Sequence, residues 1–256
     1  MGRLFKASVK DNREIAANHY LITLHPLEKI KRPAPGNFFM VSAGNGRDPL
    51  LKRPISVHRI QGSSFQLLYR VAGKGTAILS RKRTGDTIEI LGPLGNGFPA
   101  AKTRNIILVA GGIGIAPVFA LAESVAKKKP LLFYGARTKA EALCIKELAS
   151  IGIKTVVSTD DGTLGEKGNV IDSLKDHLSR HPASITDHVL YACGPAPMLK
   201  ALSEFAVSNR IKGHIALEQN MACGLGTCLG CVVNTVNGYK RVCKEGPVFP
   251  VEEIVW

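Results

Sequence analysis

The stretch NIILVAGGIGIAPVFALAESV, residues 105–125, decides the fold. Aliphatic residues from Ile106 to Val109 lead into Gly111, Gly112 and Gly114, and then into an apolar pattern of helical period. Such continuous apolarity marks a strand buried on both faces, as in a parallel sheet. Ile106 to Ala122 carries no charge, but three glycines and Pro117 interrupt it and it barely reaches bilayer length. Strand, glycine turn and helix describe it better than a membrane span.

The same rhythm continues downstream. PLLFYGA, IKTVVST and DHVLYACG read as strands, alternating with the helical patterns KAEALCIKELAS, NVIDSLKDHLSRH and APMLKALSEFAVSN. With a final HIALEQ strand they predict a mostly parallel sheet with helices on both faces. Upstream of Gly97 the pattern differs. HYLITLHP, GNFFMVSAG, RPISVHRI, SSFQLLYRVAG and DTIEILGPLG are short strand-like runs spaced as in a barrel or sandwich. Beyond HIALEQ, helical periodicity gives way to cysteine and glycine. The expected organisation is therefore a β barrel over residues 1–99, an α/β nucleotide-binding domain over 100–215 and a small module over 216–256.

Composition narrows the function. Of 256 residues, 45% are hydrophobic and 21% charged, which suits a globular chain. The net charge of +14 sits in short scattered clusters (KIKR at 29–32, RKR at 81–83, Lys127 to Lys129) without a nucleic-acid motif. It reads as a solvated surface, with an acidic protein partner as the next candidate and no nucleic acid. MGRLFKASVKDNREIA lacks the apolar core of a signal peptide. The expectation is a soluble, cytoplasmic protein whose cysteines stay reduced.

VAGGIGIAP (109–117) joins a strand to a helix, where glycines admit a phosphate and the helix N-terminus supplies amide donors. Pro117 stands in place of the third glycine of the usual dinucleotide fingerprint, and an unliganded glycine turn is the alternative. YACGPAPM (191–198) repeats the arrangement, with Cys193, Gly194 and Pro195 at a strand end. Cys193 either faces a nicotinamide or is a small packing residue. Two such loops in one sheet point to a nucleotide. NAD or NADP stays open, because Arg137, Glu141, Asp160 and Asp161 all follow the strands that would present an acidic ribose ligand.

In the barrel segment, Arg53 and Arg70 are suited to fork a pyrophosphate, and Gly75-Thr76 to present backbone amides. Ser56 is suited to hydrogen-bond a flavin edge. The alternative is two surface arginines and a plain Gly-Lys-Gly turn.

Cys223-x4-Cys228-x2-Cys231-x11-Cys243 matches the plant-type [2Fe–2S] spacing. Structural zinc is the rival, although zinc ribbons usually bring two C-x-x-C knuckles and this chain has one. Nicotinamide exchanges two electrons as hydride whereas an iron–sulfur cluster passes one. If both are present something must split the pair, which argues for a flavin in the barrel. Cys144 reads as a helical packing residue. Among seven histidines only His177 and His181 share helical spacing, without a third ligand. No acid–base pair or nucleophile suited to oxidising a carbon substrate is visible, so the chain should have a partner.

Barrel, nucleotide sheet and cysteine module in this order resemble the ferredoxin-reductase superfamily. RPIS, LYRVAGKGT, GPLGNGFP, GGIGIAP, CGPAPM, MACGLGTCLGCVV and YKRVCKEGPVF are more closely similar to the iron–sulfur flavoprotein, electron-transfer subunits of class 1B dihydroorotate dehydrogenase. The resemblance spans nearly the whole chain. It implies FAD on Arg53, Pro54, Ile55, Ser56, Leu68, Tyr69, Arg70, Gly75 and Thr76, and a [2Fe–2S] cluster on the four cysteines. It also implies an FMN-containing catalytic partner in a heterotetramer with two of each chain, serving pyrimidine biosynthesis. In such a complex electrons pass from dihydroorotate through FMN, the cluster and FAD to NAD+. A related NAD(P)H-dependent flavoenzyme complex, such as a ferredoxin:NADP or sulfide-related reductase, is the alternative. Ile55 stands where the wider superfamily often has an aromatic residue, leaving Tyr69 as a candidate to stack on the flavin.

Overall fold

The computed structural model describes residues 2–44, 48–101, 103, 105–180 and 186–256. Strands β1 (Arg3–Ala16), β2 (His19–Pro26), β3 (Phe38–Val41), β4 (Arg53–Gln61), β5 (Ser64–Arg70) and β6 (Thr87–Leu94) close into a barrel in the order β1-β2-β5-β4-β3-β6. Alternation builds its interior, since every second side chain of a strand faces inward. Phe5, Ala7 and Val9 of β1 meet Ile22, Leu24, Phe39, Val57, Phe65 and Leu67 there. The long first strand has no counterpart among the strand-like runs of the sequence. Its buried residues Phe5, Ala7 and Val9 are separated by Lys6 and Ser8, and register shifts between Val9 and Asp11 and between Glu14 and Ala16 break the alternation in its second half.

The second unit is a sheet in the order β10-β9-β8-β7-β11-β12-β15. Its strands are β7 (Ile106–Gly111), β8 (Leu131–Ala136), β9 (Lys154–Thr159), β10 (Glu166–Lys167), β11 (Val189–Cys193), β12 (Lys212–Ala216) and β15 (Val248–Pro250). All pairs are parallel except β12 with β15. Helices α2 (Ile115–Val125), α3 (Ile145–Ser150), α4 (Val170–Ser179) and α5 (Ala196–Ser208) cover it. The order reverses between β7 and β11, so the GGIG and CGP loops leave adjacent strands at the crevice where open α/β sheets take ligands.

KAEALCIKELAS differs from its expected continuous helix. It forms a 3-10 turn at Lys139–Glu141 and then the short α3, with Cys144 left-handed (φ 60°) between them. The buried Tyr134 hydroxyl accepts the Leu143 N–H at 3.1 Å and lies 3.3 Å from the Glu141 carbonyl, capturing groups a helix would use. His177 packs edge-on against Phe133, and its expected helical neighbour His181 lies outside the described residues.

The C-terminal module carries the hairpin β13 (Val232–Thr235) and β14 (Gly238–Arg241), then returns to the sheet as β15. It also grips the barrel: the Asn96 N–H donates to the Gly246 carbonyl at 2.6 Å, and Gly224 (φ 69°) lies against Met40 so closely that a Cβ would fall 2.6 Å from its Cγ. Cys231, Val242 and Cys243 share one core with barrel residues Phe38, Met40 and Leu94 and sheet residues Leu190 and Ile215. Among the described residues no helix is long and apolar enough to cross a membrane.

Barrel and sheet meet where β4 packs on α2. There buried His58 lies 3.3 Å from the Ala116 carbonyl and packs at a tilt against the Phe119 ring, while Arg59 pairs with Glu123. Burial lowers the His58 pKa to about 4, offset in part by the Ala116 contact and reinforced by Arg59. The unfolded chain therefore takes a proton at pH 6.5 that the folded chain refuses until about pH 4. Stability is lost as pH falls through that window, by about 3 kcal/mol in all. In urea titrations at pH 7 and pH 4, the gap between wild type and His58→Leu is expected to shift by that amount in favour of the variant. Parallel losses in both proteins would show that His58 does not titrate.

Candidate functional site

Two clefts open along the junction. The first, about 490 Å³, lies between the barrel and the module. Arg53, Pro54, Ile55 and Ser56 of β4, Leu68, Tyr69 and Arg70 of β5, and Thr76 of helix α1 (Lys74–Leu79) line it, facing Pro117 of α2 and Leu217 to Met221. These are the expected flavin residues apart from Gly75, which lies behind them. Gly75 is buried and an added Cβ would overlap the Arg53 guanidinium, so the absence of a side chain there is what lets Arg53 lie down along α1. Arg53 also donates to the Leu51 carbonyl. The Thr76 hydroxyl accepts the N–H groups of Ala72 and Gly73 at 3.0 and 3.2 Å, closing the turn that enters α1.

Tyr69 lines this cleft with its ring already braced. It stacks on Tyr20 with centroids 5.8 Å apart, and its hydroxyl donates to the Asn12 side chain at 3.2 Å. Burial pushes its phenol up, so the ring stays neutral and fixed in the barrel wall.

The second cleft, about 410 Å³, lies over the sheet's switch point. Gly111, Gly112 and Gly114 line it with Gly194 and Pro195, so both glycine loops reach one cavity. Gly114 abuts the Cys193 carbonyl with no room for a Cβ, which sets the two loops side by side. Cys193 itself lines neither cleft; its side chain belongs to the core, and burial together with the charge of Glu218 holds its thiol far above the ordinary value. The sheet pleat is the reason: the residue that follows Ala192 at the strand end points into the layer beneath the loops. Arg137, Glu141 and Asp160 line the far end, whereas Asp161 is folded back onto the Thr163 N–H and hydroxyl at 3.0 and 2.6 Å.

Arg70, Ile113 and Glu218 line both clefts, which therefore meet. Glu218 was not apparent as a site residue in the sequence. Its side chain faces open cleft space but is enclosed by protein on its other sides. That enclosure raises its carboxyl pKa, and the Arg70 charge pulls it back. No local pattern around ALEQN marks this residue, because only the crossing of β12 toward the barrel brings it to the junction.

The four cysteines gather into two pairs. Cys223 and Cys228 interact through their side chains, as do Cys231 and Cys243, and the Cys243 thiol also senses Cys223. Burial raises Cys223, but the N–H groups of Cys228, Leu225 and Thr227 and the Cys228 thiol outweigh it, leaving it at about 6. The Leu225 N–H lies 3.3 Å from the Cys223 sulfur, and the Cys243 N–H 3.4 Å from that of Cys231. Burial and the neighbouring Cys231 push Cys243 up to about 12. Arg241 braces the loop, donating to the Gly226 carbonyl at 2.8 Å and to Glu245, whose carboxyl it holds down at about 2.

Two thiol pairs with amides aimed at sulfur fit a cluster that takes two thiolates on each iron.

Comparison with known proteins agrees with this geometry. Residues 218–255 match the iron–sulfur cluster binding domain of dihydroorotate dehydrogenase B, and residues 108–204 the oxidoreductase NAD-binding domain. The chain is 37% identical to the dihydroorotate dehydrogenase B (NAD(+)) electron transfer subunit of Desulforamulus reducens, with 100% of both chains covered. It is 42% identical to the same subunit of a Geobacillus species, covering 97% of each. Among solved structures, the NADH-dependent reduced ferredoxin-NADP oxidoreductase superposes with a TM-score of 0.84 at 29% identity, over 98% of this chain and 90% of that one. An Amycolatopsis cytochrome P450 reductase shares the fold alone, with a TM-score of 0.69 at 20% identity over 82% of this chain and 67% of that one. With relatives at this identity over their full length, and with the cysteine and glycine loops lying inside the matched segments, the chain belongs to the dihydroorotate dehydrogenase B electron transfer subunit family.

Proposed function

We propose that the chain carries electrons between a dihydroorotate-oxidising FMN subunit and NAD+, with FAD in the barrel cleft, NAD in the sheet cleft and a [2Fe–2S] cluster on Cys223, Cys228, Cys231 and Cys243. The observation that carries this reading is the junction of the clefts at Arg70, Ile113 and Glu218, beside a cysteine module packed on the first cleft. Bound flavin supplies the exchange between hydride and single electrons. Arg53 and Arg70 hold its pyrophosphate, with Gly75 keeping Arg53 in place. Ser56 offers a hydrogen bond at the ring edge. Gly111, Gly112 and Gly114 admit the dinucleotide phosphates against the start of α2, and Gly194 with Pro195 shapes the opposite wall.

That the relatives are electron transfer subunits of dihydroorotate dehydrogenase B supports an electron-carrying role beside a catalytic subunit. The family resemblance supports FMN in that subunit, two copies of each chain and a cytoplasmic setting. The likeness to an NADH-dependent ferredoxin-NADP oxidoreductase favours a second reading, in which the same wiring serves another flavoenzyme. Reconstitution decides between them. Mixed with a dihydroorotate-oxidising FMN subunit, the chain is expected to confer dihydroorotate-dependent NAD+ reduction. A stable mixture that reduces no NAD+ while ferredoxin is reduced by NADH would favour the second reading.

A further inference from the structure

The far end of the sheet cleft carries a charge arrangement that bears on which dinucleotide it accepts. Sequence order places Arg137 directly after β8, where an arginine ordinarily welcomes a 2′-phosphate. Two acids share the cleft with that arginine. Glu141 from the 3-10 turn and Asp160 from the end of β9 line the same cleft. Among the described residues no cationic side chain besides Arg137 lines this end, since His19 and Arg70 enter from the barrel.

The backbone that carries each of the two acids is anchored. Tyr134 lies 3.1 Å from the Gly112 carbonyl and 3.3 Å from that of Glu141, tying the Glu141 turn to the phosphate loop. The Asp160 N–H donates to the Ala136 carbonyl at 3.2 Å, continuing the β8–β9 ladder past its last pair. Arg137 is exposed and forms no ion pair with either carboxylate among the described salt bridges. A 2′-phosphate adds about −1.5 to −2 charges at neutral pH. It would meet two carboxylates on anchored backbone and one guanidinium. A ribose hydroxyl would meet two hydrogen-bond acceptors instead.

We propose that Glu141 and Asp160 are the specificity-determining residues of this cleft, accepting the adenosine ribose hydroxyls and rejecting a 2′-phosphate despite Arg137. The proposal rests on the reading of this cleft as the dinucleotide site.

The test is kcat/KM for NADH and NADPH with an artificial acceptor, on flavin-loaded protein, for wild type and for the Glu141→Gln, Asp160→Asn double variant. Both substitutions are near-isosteric. NADPH efficiency is expected to rise at least about tenfold and NADH efficiency to fall about threefold to tenfold, moving the ratio by about 30-fold or more. Adding Arg137→Ala to the double variant should erase the NADPH gain. Gly111→Val serves as the control for the cleft, because its Cβ would lie 2.6 Å from the Met198 sulfur and 2.8 Å from Pro195. Retained flavin absorbance reports its folding. If that control loses NADH oxidation while the double variant keeps the wild-type ratio, the cleft stands and the specificity proposal is overturned. If the control oxidises NADH normally, the cleft reading is wrong and the proposal falls with it.

Discussion

Cys228→Ser is expected to cut dihydroorotate-dependent NAD+ reduction at least about a hundredfold while leaving NADH oxidation by artificial two-electron acceptors within about threefold of wild type. The asymmetry comes from where the residue sits. Cys228 is the exposed member of the four and lines neither cleft. Its thiol and N–H face Cys223, so a serine there removes one of two thiolates from one pair. Hydride exchange at the junction of Arg70, Ile113 and Glu218 needs none of these atoms. On the proposed reading, transfer to a partner runs through the cluster, which relays outward the single electrons that the flavin releases. Iron content should fall with the coupled activity. If both activities fall together, the cysteine loop holds up the clefts and the variant reports structure instead.

Gly75→Val is expected to strip the flavin. A side chain at this position must displace the Arg53 guanidinium from its place against α1. Losing a charge-assisted, forked contact costs about 1.5–3 kcal/mol, which is about 10- to 100-fold in FAD affinity. Arg53→Ala should lose a similar amount, and the Gly75→Val, Arg53→Ala double variant little more, since both changes remove one interaction. Fluorescence titration of the apoprotein with FAD measures all three. Wild-type affinity in Gly75→Val, with an unchanged melting temperature, would show that Arg53 does not hold the cofactor.

Much of this was legible in the sequence because the signals are local. Alternation gave away β2, β4, β5 and β6, and unbroken apolarity gave away β7. The cysteine spacing pointed to a cluster before any fold was known, because four thiolates with glycines between them have few other uses. The features that stayed hidden depend on chain crossings. Strand β1 hides behind its charged residues and register shifts. Strand β15 is three residues long and gains its identity only by pairing with β12. Tyr134, an ordinary strand tyrosine in the sequence, divides an expected helix in two through its hydroxyl. Cys193, which the sequence leaves between nicotinamide neighbour and packing residue, sits in the core, while Glu218 gave no signal and stands where the clefts meet.

On the proposed reading one chain converts a hydride into single electrons. Anaerobic addition of NADH to the purified chain, followed by low-temperature electron paramagnetic resonance, tests it most directly. The expected result is bleaching of bound flavin together with a one-electron iron–sulfur signal, in protein carrying about two irons and two acid-labile sulfides per chain. A flavin that bleaches in protein containing zinc or no metal, with no paramagnetic cluster, would contradict it.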